Sequence, residues 1–121
     1  MAVTLQIEDD ELIVRLDGWQ RWAALKREVR APLDSVTSAY LSRDANALKR
    51  GFRWPGSHVA DRMYAGTWKS KDATDFWMMT TPHEILVIEF ANQPYDRWLL
   101  SVPDPESWVR RLSRKTWAGW E

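Results

Sequence analysis

The sequence predicts a mainly β domain with α: a bent antiparallel sheet or partly open barrel of seven or eight strands, closed at one end by a C-terminal helix. Three observations carry this expectation. Apolar and polar residues alternate with period two over 3–16 and again over 29–41, the spacing of strands with one face buried. Between 63 and 102, four apolar runs rich in Val, Ile, Phe and Trp are separated by the turn clusters KSKDAT, TPHE and ANQPYD. Beyond Val102 the pattern changes to apolar residues three and four apart, which is helical.

The elements follow in order. Val3, Leu5 and Ile7 alternate with Thr4, Gln6 and Glu8, Leu12, Val14 and Leu16 alternate with Ile13, Arg15 and Asp17, and Asp9-Asp10 supplies the turn of a hairpin. Asp17-Gly18 ends the second strand. Trp19, Trp22 and Leu25 then fall three apart, predicting a short helix near 18–27 that covers an end of the fold. Strands three and four come from Val29, Ala31 and Leu33 and from Val36, Ser38 and Tyr40. Pro32 between them suits an edge or a bulge, because it cannot donate to a central ladder. The stretch 44–62 has no clear period and reads as a long loop. The four runs of 63–102 read as consecutive antiparallel strands, with Gly66 marking a bend or a close backbone approach. Asp104 suits an N-cap and Pro105 a first helical position, opening a helix near 104–116 with Trp108, Val109 and Leu112 on its apolar stripe.

Composition narrows the function. The 121 residues are enough for a single domain, 1–121, with its own core. Seventeen basic and seventeen acidic side chains leave no net charge, which argues against a nucleic-acid partner. The lack of cysteine removes disulfides, thiol catalysis and thiolate metal sites, and fits a reducing, cytoplasmic setting. No window carries the long apolar run of a membrane span, and the first residues do not have the pattern of a signal peptide. Nine tryptophans fill and cap a small β fold in the simplest reading; an aromatic groove or an oligomer interface, such as a homodimer, is the sharper one.

Catalytic chemistry has little to work with. His58, near Asp61, and His83, between Pro82 and Glu84, are the only imidazoles, and no paired-ligand or phosphate-cradling motif occurs. No cofactor, metal or catalytic residue is therefore expected. The basic and aromatic residues of 44–62 are the better candidates for a site. Arg50, Arg53, Trp54 and His58 lie about the Pro55-Gly56 turn, where guanidinium and ring groups can grip phosphate or an acidic peptide.

The hairpin LQIEDDELIVRL, the pair APLDSVTSAYL, the stretch GFRWPGSHVADRMYAGTW, the FW and YDRWLLSV strands and the helix DPESWVRRL together carry a resemblance. Over nearly its whole length the chain resembles the pleckstrin-homology-like (PH-like) superfold, particularly small bacterial proteins of that type. The resemblance implies a bent barrel capped by a helix and used mainly for binding. Many such domains hold phosphoinositides through basic residues of the first hairpin. Here that hairpin carries Glu8, Asp9, Asp10 and Glu11, so an anionic headgroup is not expected there. The expected function is a non-catalytic binding or scaffolding domain for a protein or peptide partner. The competing expectations are a small-molecule carrier or enzyme with a pocket near His58, and a peripheral membrane binder using Arg110, Arg111, Arg114 and Lys115.

Overall fold

A computed structural model describes residues 4–16, 28–44, 52–57, 63–80 and 84–118, with the backbone alone at 52–57, 63–64, 80 and 113–118. Nine strands and one α-helix are present among them: β1 (Thr4–Glu8), β2 (Glu11–Arg15), β3 (Glu28–Pro32), β4 (Val36–Ser42), β5 (Phe52–Ser57), β6 (Met63–Lys69), β7 (Thr74–Thr80), β8 (Ile85–Phe90), β9 (Arg97–Leu100) and α1 (Pro105–Ala118). The expected helix near 18–27 lies outside the described residues.

The strands form two sheets, not one barrel. β1, β2 and β3 make an antiparallel meander, and the other six run in the order β4-β8-β9-β7-β6-β5. The first hairpin turns as its sequence requires: Asp9 and Asp10 both take positive φ, at 50° and 63°, the backbone of a tight two-residue hairpin turn. Pro32 ends β3, which is an edge strand, and a 3-10 turn over Leu33–Ser35 carries the chain to the large sheet. Ala91 donates its N–H to the Ser35 carbonyl at 2.9 Å and ties that turn to the end of β8.

Two expectations need correction here. The stretch 44–62 is not loop throughout, because Phe52–Ser57 forms β5 at the sheet margin. Its Pro55 and Gly56 hid it: both lower strand propensity, yet an edge position tolerates them, and the pairing with β6 is irregular between Arg53 and Gly56. Nor are the last four strands a simple antiparallel series. β9 inserts between β8 and β7, antiparallel to the first and parallel to the second. β9 reads Arg-Trp-Leu-Leu and is buried at every position, so its backbone groups need a partner on both sides, which the outside of a hairpin does not offer.

Core packing follows the alternation. Phe76 and Met78 of β7, Leu86 and Ile88 of β8, and Trp98 and Leu100 of β9 meet Leu12 and Val14 of β2 and Val29 and Ala31 of β3 between the sheets. The other face of the large sheet buries Trp68, Trp77, Met79, Ile85, Val87 and Leu99. Strands buried on both faces lose the alternation of half-wet ones, which is why FWMM and ILVI are continuous apolar runs. Gly66 takes φ 119° opposite Trp77, the bend its position suggested.

α1 begins at Pro105, as its missing N–H allows. Asp104 precedes it with φ 51°, and its carbonyl accepts from both the N–H and the hydroxyl of Ser107 at 3.2 Å. Trp108 and Leu112 are buried in the core between the sheets, while Arg110 and Arg111 are exposed. Arg111 folds back over the Trp108 ring, 4.2 Å from its centroid. The helix lies against β4.

Candidate binding cleft at the edge of the small sheet

Arg53 and Trp54 fall in β5, where Arg53 is paired in register with Trp68. Arg50 and His58 lie outside the described residues, so of the four-residue site expected from the sequence only the backbone of Arg53 and Trp54 is described. The described side chains form a cleft elsewhere.

It starts from the phase of β3. The Leu33 N–H donates to the Asp10 carbonyl at 2.9 Å, and Leu33 continues the register that pairs Ala31 with Leu12 and Val29 with Val14. Antiparallel ladders alternate, so the odd residues of β3 bond towards β2 and the even ones turn their backbone groups away from it. Glu28 and Arg30 thus direct N–H and C=O outwards from a sheet edge. Pro32 is in the same outward phase, where a missing N–H breaks no ladder bond.

The outward edge faces a cleft of about 210 Å³ lined by residues 28–31 of β3 and by Gln93, Pro94, Tyr95 and Trp98. The opposite wall is stiff. Phe90 N–H donates to the Asp96 carbonyl at 2.9 Å, closing the 91–96 turn, and Asn92 takes the left-handed φ of 59° that the turn needs. Tyr95 is held by Phe76, ring centroids 5.5 Å apart, and by its hydroxyl at 3.0 Å from Thr67 Oγ1. Trp98 at the floor packs against Phe90 at 4.6 Å.

The outer face of the small sheet carries a charge ladder around Ile13, which pairs with Gln6 and Arg30 and is itself buried. Arg15 donates to Glu28 at 3.0 Å, to Glu8 at 3.3 Å and to Gln6, and Arg30 donates to Glu28 at 2.6 Å and Glu11 at 2.8 Å. The hydrogen bonds to Glu28 and Glu11 raise the Arg30 guanidinium above its ordinary value. Asp9, Asp10 and Asp34 add carboxylates in the adjoining turns, and over 4–35 the sequence has seven acidic against five basic side chains, a net −2.

A second polar group lies on the far face of the large sheet. In the parallel register Asp75 of β7 stands beside Arg97 of β9, and Arg97 donates to Asp75 Oδ2 at 2.7 Å with both side chains buried. Glu89 of β8 is next in the row and accepts from the Tyr40 hydroxyl at 3.3 Å. The sequence did carry a signal for the pair: opposite charges open two apolar runs, DFWMM and RWLL, at matching positions. The cleft has no such signal, because β3 and the 91–96 turn are some sixty residues apart.

Burial, then the charge of Glu89, raise the Tyr40 phenol above its ordinary value, and Arg97 partly offsets them. A raised folded-state pKa favours the neutral phenol. Its stabilising contribution is therefore complete below the ordinary value of 10.0 and declines as pH rises through the higher folded value. In urea unfolding from pH 8 to 11.5, the wild-type protein should lose more stability above about pH 10 than Tyr40→Phe does. Parallel curves would remove this role.

Among the described residues, no three His, Cys, Asp or Glu side chains gather as metal ligands, and no helix is long and apolar enough to cross a membrane. In comparison with known proteins, the chain matches no family, no curated protein and no solved structure.

Proposed function

We propose that this chain is a non-catalytic binding module, PH-like in its coarse layout of packed sheets and a C-terminal helix, that takes an extended polypeptide segment along the edge of β3. One observation carries the reading: the outward backbone groups of Glu28 and Arg30 open onto a cleft whose second wall is a braced turn. Strand addition needs those two things. Main-chain hydrogen bonds at a sheet edge provide affinity, and a pocket beside the edge selects alternate side chains. A rigid wall also limits the ordering cost that would weaken a mobile one. The lack of cysteine supports a cytoplasmic setting.

The test is to pan a displayed library of random octapeptides against the immobilised protein and titrate the best binder into ¹⁵N-labelled protein. Binding at the cleft should shift the amides of Glu28, Val29, Arg30, Gln93 and Tyr95. No enrichment, or shifts confined to other surfaces, would overturn the reading.

A further inference from the structure

We infer that the segment added to β3 alternates apolar residues with lysine or arginine and comes from another polypeptide. This rests on the strand-addition reading above and names the chemistry of its occupant. Neighbouring strands share one pleat, so residues of the added strand level with Val29 and Ala31 point inwards and those level with Glu28 and Arg30 point outwards. The inward positions meet Pro94, Tyr95 and Trp98 across the cleft, an environment for small apolar side chains.

The outward positions join the charge ladder, where three glutamates, Glu8, Glu11 and Glu28, face two guanidiniums, Arg15 and Arg30. Arg15 and Arg30 are each already shared between two glutamates, so an incoming carboxylate would compete with Glu8, Glu11 and Glu28 for them. Asp9, Asp10 and Asp34 are exposed and lie in the turns at the Pro32 end of the edge. Cationic side chains beside Glu28 and near these turns complement the surface, and a neutral one suits the position beside Arg30. A second copy of this chain fits poorly as the occupant. Two-fold antiparallel pairing of β3 with itself about Arg30 would set guanidinium against guanidinium, and Pro32 would bring no donor to the new ladder.

The probe is acetyl-Val-Lys-Val-Thr-Val-Lys-Val-amide, whose residue order reads the same in either chain direction. Its counterpart has Glu in place of both Lys. Each is titrated into ¹⁵N-labelled full-length protein at low salt and at about 0.5 M salt, where exposed charges are screened. The basic peptide should shift the amides of residues 28–31 and bind about tenfold more tightly than the acidic one, the effect of exchanging a few exposed repulsive pairs for attractive ones. The difference should shrink at high salt. Two N-methylated copies, one blocked at its Lys and Thr nitrogens and one at its Val nitrogens, test the pairing. Only one should lose binding, because a strand turns alternate N–H groups to its neighbour. Equal binding of the basic and acidic peptides at β3 would overturn the charge inference and leave strand addition standing. No shift at β3 from the basic peptide at millimolar concentration would also overturn it, and the library selection then decides separately whether the edge binds peptides at all.

Discussion

Asp75→Ala is expected to destabilise the protein by about 3–5 kcal/mol, the usual consequence of leaving one half of a buried ion pair behind. Asp75 is fully buried and Arg97 nearly so, at 0% and 9% side-chain exposure, so water does not replace the lost carboxylate. The pair lies across the parallel β7–β9 seam, where it fixes which residues face each other. The same seam is clamped at its start by Asp96, whose N–H donates to the Thr74 carbonyl at 2.6 Å and whose Oδ2 accepts from the Thr74 N–H at 2.7 Å. Chemical denaturation followed by tryptophan fluorescence measures the loss. The double change Asp75→Leu with Arg97→Met should recover most of it, because an apolar pair removes the desolvation cost of both charges. A loss within about 1 kcal/mol for Asp75→Ala, the range of exposed pairs, would show that the pair does not hold the seam.

Trp98→Ala should cost a similar amount, about 3–5 kcal/mol, for a different reason. Its indole is 1% exposed, packs on Phe90 and belongs to the core between the sheets. Truncation leaves a void bounded by both sheets, which the packed neighbours only partly close. Trp98→Phe keeps most of the volume and should lose clearly less. Equal losses from the two changes would mean that the ring's hydrogen-bonding group matters more than its bulk. Since whole domains are stable by only about 5–15 kcal/mol, either alanine change consumes a large share of the total.

What the sequence determined by itself was local. Period-two alternation located β1 to β4, turn clusters separated β6 to β9, and Pro105 marked the start of α1. Each of these depends on neighbours within a few residues: side-chain alternation, a backbone that turns at Asp9-Asp10, a ring that suits a first helical position. β5 escaped because Pro55 and Gly56 mask an edge strand, which needs only one partner and tolerates poor strand formers. Only the tertiary structure decided the rest. Local alternation is blind to neighbour order, so nothing in RWLL told that β9 would enter between β7 and β8; burial of its backbone on both sides requires it. The same long-range pairing brings Asp75 to Arg97. The cleft arises likewise, because the edge phase of β3 is set by its register with β2 and the opposite wall is a turn some sixty residues further along the chain. A site made of an exposed backbone edge has no residue signature, since every non-proline residue carries the same N–H and C=O.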